Sequence, residues 1–210
     1  MKKTVFFLFL FFFFSFFYGF SQDTTSIEEI YNYLNLNKVT SGDFILEKKS
    51  EKLKRPLKSF GKFVFSQEGI LWKTEKPFPS VMAITTTYII QTKIDGSKVV
   101  TDGSSNEVFK SVAQTISSLF SGNINSLENF FLINDFSYQN NEWKVSLKPK
   151  DKNIESTLNN VVIGGVFKEK KASMDFIQIM QNKTDITTYN LLNQIYKQEL
   201  NDEELAFFKK

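Results

Sequence analysis

The residues that could do chemistry are few. The chain of 210 residues has no histidine and no cysteine. That closes Ser-His-Asp and Cys-His nucleophiles, zinc sites built from those ligands, and disulfides. Catalysis would fall to carboxylates, lysine, tyrosine or a hard metal. The adjacent carboxylates, Glu28-Glu29 and Glu203-Glu204, lie in stretches that read as helix. Sequence neighbours on a helix point apart, so neither pair suits acid–base work. No catalytic residue, metal site or cofactor is expected, and the chain reads as a binding protein rather than an enzyme.

Arg55 is the one arginine beside 25 lysines. Its planar fork could pin backbone carbonyls better than a lysine; an exposed arm is the plainer reading. Lys48, Lys49, Lys52, Lys54, Arg55 and Lys58 form a basic run that could touch anionic lipid or an acidic partner, although a solvated connection between strands explains it as well. The larger resource is apolar. Phe63, Phe65, Trp72, Met82, Ile84, Trp143, Val145, Met174, Phe176 and Ile179 sit on segments that read as β. They could form an ordinary closed core or wall a groove for a hydrocarbon tail, since burying an acyl chain contributes roughly 0.8 kcal/mol per CH₂ and needs no reactive group.

These residues need elements to hold them. Ten of the 24 phenylalanines fall in the first twenty residues, behind Lys2 and Lys3. Val5 to Phe20 is an almost unbroken apolar run, and Gly19-Phe20-Ser21 suits cleavage after Ser21. This is the layout of a secretory signal; the run is slightly short for a spanning helix. No cysteine follows the cut, so no lipid attachment is expected there. Losing Lys2 and Lys3 lowers the net charge from +3 to about +1. A nearly neutral body argues against nucleic acid.

In residues 22–210, read as one domain, Thr25-Ser26-Ile27-Glu28 resembles a capping box, and Ile27, Ile30, Tyr31 and Leu34 follow at helical spacing up to Ser41-Gly42. From Asp43 to Thr101 short β-branched and aromatic runs alternate with turns at Glu68-Gly69, Pro77-Phe78-Pro79 and Asp95-Gly96-Ser97. A helix is expected over 104–120, with Val108, Val112, Ile116, Leu119 and Phe120 on one face and Gly122 at its end. A short helix is expected over Ile124 to Phe131. Strands are expected at Phe131–Gln139, Glu142–Lys148, Asn160–Phe167, Lys170–Met180 and Lys183–Lys197, then a terminal helix at Asn201–Phe208. Strands joined by such short turns must pair antiparallel. About ten of them must curl or split into layers. The expected class is α+β: a curved antiparallel sheet with a helical lid.

Arg55-Pro56-Leu57-Lys58-Ser59-Phe60-Gly61, then Gly69-Ile70-Leu71-Trp72, Pro77-Phe78 and Ile84-Thr85, resemble the motif series of LolA-like outer-membrane lipoprotein carriers. Leu119-Phe120-Ser121-Gly122-Asn123 with Leu127 and Phe130, the stretch Trp143 to Pro149, Ile163-Gly164-Gly165 and Asp185-Ile186-Thr187 are similar to later motifs of that family. The likeness covers nearly all of residues 22–210. It implies a LolA-like half-open β-barrel with helices across its mouth, and a monomeric periplasmic carrier that takes lipoprotein acyl chains from an inner-membrane release complex and hands them to an outer-membrane acceptor. The ten apolar residues would line the groove and the 108–120 helix would form the lid. Another lipid, a glycolipid or a polyene precursor is the alternative cargo. The family's latch arginine precedes a proline in a strand leading to a tryptophan. Here Arg55 precedes Pro56 but lies earlier, and Lys76 precedes Pro77 but follows Trp72, so Arg55 is the nearest candidate latch.

Overall fold

The computed structural model describes residues 25–102, 118, 123–152 and 158–210. The signal segment and the candidate lid positions Val108, Val112, Ile116, Leu119 and Phe120 lie outside the described residues.

Helix α1 (Ile27–Asn35) starts one residue later than the sequence suggests. Its cap is Ser26, whose Oγ accepts the Glu29 amide at 3.2 Å. This satisfies one of the orphan amides of the first turn. Six strands then form a meander: β1 (Val39–Lys49), β2 (Leu57–Ser66), β3 (Gly69–Lys76), β4 (Ser80–Ile84), β5 (Tyr88–Thr92) and β6 (Lys98–Asp102). The second part holds α2 (Ile124–Phe130), β7 (Phe131–Gln139), β8 (Glu142–Pro149), β9 (Asn160–Lys168), β10 (Lys171–Ala172), β11 (Phe176–Met180), β12 (Ile186–Lys197) and α3 (Asp202–Phe208). Ser41-Gly42, expected to end the first region, instead lies inside β1.

All pairings are antiparallel. The order is β6-β5-β4-β3-β2-β1-β12-β11-β9-β8-β7, with β10 paired to β9. β6 and β7 are the ends, and no pairing joins them among the described residues. The barrel is therefore half-open, as the sequence leads one to expect.

The sheet curls tightly. Trp72 on β3 and Tyr189 on β12 are three strands apart, about 14 Å in a flat sheet, yet their ring centroids lie 4.7 Å apart. Phe44 on β1 meets the Trp72 ring edge-on at 5.0 Å across two strands. The register makes room for these rings. Gly42 faces Phe63 across the β1–β2 ladder, and Phe44 faces Gly61. A Cβ on Gly42 would come within 2.9 Å of the Phe63 ring, and one on Gly61 within 2.9 Å of the Phe44 ring and 2.0 Å of the Lys73 carbonyl. Glycine opposite phenylalanine lets each ring lie over its neighbour's backbone.

Two apolar layers result. The inner face carries Phe44, Phe63, Phe65, Ile70, Trp72, Ile84, Trp143, Val145, Ile163, Ile177 and Leu191, together with Ile27, Ile30 and Tyr31 from α1. The outer face of β2–β5 carries Val64, Leu71, Ala83 and Ile90, packed on Phe208 of α3. The Tyr88 hydroxyl donates to the Phe208 carbonyl at 3.0 Å. A full capping box starts α3: Asn201 Oδ1 accepts the Glu204 amide, and the Glu204 carboxylate accepts the Asn201 amide.

Candidate functional site

The inner face is built by alternation. In β8, Trp143, Val145 and Leu147 are buried while Glu142, Lys144 and Lys148 are exposed. The ladder carries that parity sideways, pairing Val145 with Ile163 and Ile163 with Ile177. Trp143 is also fixed at its polar end, where Nε1 donates to the Ser173 carbonyl at 3.0 Å. Helix α1 lies over this part of the sheet. Tyr31 meets Trp143 edge-on at 6.1 Å between centroids, and Tyr33 packs on Phe167 at 5.3 Å.

The middle of the inner face is filled by the chain's own rings. Phe44, Phe63, Phe65, Trp72 and Tyr189 form one connected cluster with centroid separations of 4.5–6.3 Å. Open space begins at one end of it. A cavity of about 430 Å³ lies among α1, α2, the β2–β3 turn and the end of β12. Phe65, Ile70 and Met174 form its buried floor, with the half-buried Leu34 and Phe130 beside them. Ser118, Asn123, Ser126 and Gln194 are on its walls. Its size is within the usual range for small-molecule pockets, about 300–1,000 Å³. Among the described residues no aspartate or glutamate lines it.

Of the ten apolar candidates, Phe65 and Met174 line the cavity. Phe63, Trp72, Ile84, Trp143 and Val145 are buried in the inner core, with Ile179 packed against it. Met82 shares a face with Trp72 and Ile84 by register, but it is 37% exposed. Phe176 is a correction. Its neighbour Ile177 points inward and is fully buried, so Phe176 projects from the opposite, outer face, with its ring over Gly164. The cause is a break in the expected 170–180 strand. The chain leaves the ladder between β10 and β11, so Met174 and Phe176, two residues apart, do not share a face. Phe44, Ile70, Ile163 and Ile177 on the inner face, and Tyr31 on α1, are not among the groove candidates, although helical spacing does place Tyr31 on the apolar face of α1.

Arg55 stands exposed in the β1–β2 connection and makes no hydrogen bond or ion pair with a described residue. The basic run is the exposed arm of that hairpin, partly neutralised where Glu47 bridges Lys49 (3.0 Å) and Lys58 (3.2 Å). Those lysines hold the Glu47 carboxyl below the usual range. Glu28 and Glu29 are exposed on α1, and Glu203 is exposed on α3. Among the described residues no group of three or more acidic side chains could hold a metal ion.

One polar group stands out within the core. Tyr31 is completely buried, and its hydroxyl has no hydrogen-bond partner among the described residues. Desolvation drives its pKa well above the ordinary tyrosine value. Burial raises Tyr189 in the same direction.

No family model matches the sequence, and no curated protein matches it. Solved structures do resemble it in fold. One is a LolA superfamily protein from Nitrosomonas europaea, at 7% identity and a TM-score of 0.46 over 87% of this chain and 95% of that one. Another is a DUF1329 family protein from Desulfovibrio piger, at 10% identity and a TM-score of 0.44 over 85% and 92% of the two chains. A third is a Vibrio parahaemolyticus domain provisionally named for outer membrane lipoprotein sorting, at 12% identity and a TM-score of 0.38 over 81% and 92%.

Proposed function

We propose that this chain is a periplasmic carrier that shelters the acyl chains of lipoproteins and moves them between the two membranes of the cell envelope. The observation that carries this reading is the cavity of about 430 Å³, floored by Phe65, Ile70 and Met174 under α1 and α2 and continuous with a curved aromatic face. Such a floor gains roughly 0.8 kcal/mol for each methylene it removes from water. The motif series through residues 55–187 and the apolar leader at residues 5–20 support the same reading. Among the described residues no helix is long and apolar enough to cross a membrane. The role is transport rather than catalysis, exercised between an inner-membrane release complex and an outer-membrane acceptor, with the chain acting as a monomer.

The polar rim of the cavity also suits a second cargo class, a lipid or glycolipid other than a lipoprotein. Native mass spectrometry of the protein isolated from its own envelope separates the two. Co-purified acylated peptide supports lipoprotein carriage, and a free lipid or glycolipid supports the alternative. Protein that remains empty and takes up no amphiphile when offered one refutes both.

A further inference from the structure

The cavity is graded from floor to mouth. Below are the three buried apolar side chains; above them the chain places Asn35, Asn37 and Gln67 with the hydroxyls of Thr40 and Thr86. None of these five side chains makes a hydrogen bond with a described residue, whereas Gln194 on the wall is already tied to the Met174 carbonyl and Asp175. Each free amide offers two donors and an acceptor, and each hydroxyl can act either way. Among the described residues the one charged side chain at the mouth is Lys38, which is exposed to solvent. Anionic head groups such as phosphate are held by converging cations and forked donors; a single hydrated lysine on a flexible stem is a weak provision for one. The set suits a partner rich in neutral donors and acceptors.

From this geometry we infer that the cavity selects amphiphiles with a neutral, hydrogen-bonding head group over anionic ones, the head seated on Asn35, Asn37 and Gln67 and the tail on Phe65, Ile70 and Met174. The inference rests on the acyl-binding reading above and specifies its ligand. A peptide amide or a sugar hydroxyl array would both satisfy it. The shared requirement is paired donors and acceptors without net charge.

The test is calorimetric titration of the purified exported protein, below micelle concentrations, with four ligands that share a dodecyl tail: dodecanol, dodecyl maltoside, an N-dodecanoyl dipeptide amide and dodecyl phosphate. At least one neutral-headed ligand binds about tenfold or more tighter than both dodecanol and dodecyl phosphate, as a few added hydrogen bonds would give. Preference for the maltoside identifies a sugar-type head, and preference for the dipeptide amide a peptide-type head. In the Asn37→Ala/Gln67→Ala variant that advantage falls about tenfold while dodecanol binding stays the same. Equal affinity for dodecanol and the neutral-headed ligands, or tighter binding of dodecyl phosphate, overturns the head-group inference and leaves acyl binding standing. Failure of all four to bind overturns both.

Discussion

Replacing Tyr31 with phenylalanine should make the protein more stable. The hydroxyl is buried between α1 and the sheet and has no partner among the described residues. A buried polar group left unpaired costs about 1–3 kcal/mol. Phenylalanine keeps the ring, and with it the edge contact on Trp143. It gives up one oxygen and leaves a space smaller than a methyl group. The expected gain is about 1–2 kcal/mol. A domain of this size shifts its melting temperature by about 2–4 °C per kcal/mol, so Tm should rise by about 2–8 °C. Urea unfolding followed by far-UV circular dichroism should show a higher midpoint at unchanged slope. The pH dependence is a second readout. Burial holds the folded pKa of Tyr31 above the ordinary tyrosine value of about 10. The unfolded chain therefore releases this proton first, and the wild type loses stability as pH rises above about 10 toward the folded pKa. Tyr31→Phe removes that part of the alkaline loss and leaves the part due to Tyr189, which burial also raises. A variant destabilised by about 1 kcal/mol or more, with an unchanged alkaline profile, would mean that the hydroxyl is satisfied in solution, and would refute the reasoning.

Three further changes test separate parts of the molecule. Asn201→Ala removes the side-chain half of the α3 capping box and should cost about 1 kcal/mol in urea unfolding, with acyl binding untouched because α3 packs on the outer face. Trp143→Phe strands the Ser173 carbonyl that Nε1 now satisfies at 3.0 Å and thins the core, so unfolding should become easier by about 2–4 kcal/mol. Leu34→Trp adds bulk at the half-buried cavity wall and should weaken binding of a dodecyl ligand by tenfold or more while Tm moves little; unchanged binding would place the tail elsewhere.

Much of the fold can be read from side-chain alternation. Trp143, Val145 and Leu147 mark one face of β8 without ambiguity, and the Asp95-Gly96 turn sits where the β5–β6 hairpin needs it, with Gly96 at φ +82°. Reading failed where local pattern and tertiary demand diverge. Ser41-Gly42 looks like a stop signal, yet Gly42 lies inside β1 because any side chain there would strike the Leu192 carbonyl and the Phe63 ring. Phe176 is expected on the inner face, within a stretch, Lys170–Met180, that reads as one strand. The Asp175 amide instead donates to the Gly164 carbonyl outside the regular ladder, and the side-chain parity restarts at β11. The cavity's polar mouth had no signature at all. Asn35, Asn37 and Gln67 follow no period, since they stand at a helix end and in turns, and only the folding of α1 over the β2–β3 turn brings them together.

A carrier must release what it binds, and the packing of the inner face bears on that. Twelve methylenes fully removed from water would contribute about 10 kcal/mol gross. That full value applies to the part of a tail lying in the existing cavity. To go deeper, a tail must part Phe65, Trp72 and Tyr189, which already bury one another. There each new contact replaces an old one, and each separated aromatic pair forfeits about 0.5–1.5 kcal/mol beyond its area. Affinity should therefore climb with tail length at up to about 0.8 kcal/mol per methylene while the cavity fills, then flatten. Titrating a series of alkyl maltosides of increasing length locates the break, and Trp72 fluorescence should change only beyond it. An unbroken slope through the longest soluble tail, with Trp72 unresponsive, would show that the tail never meets the ring cluster and that the sheet's aromatic face is structural core alone.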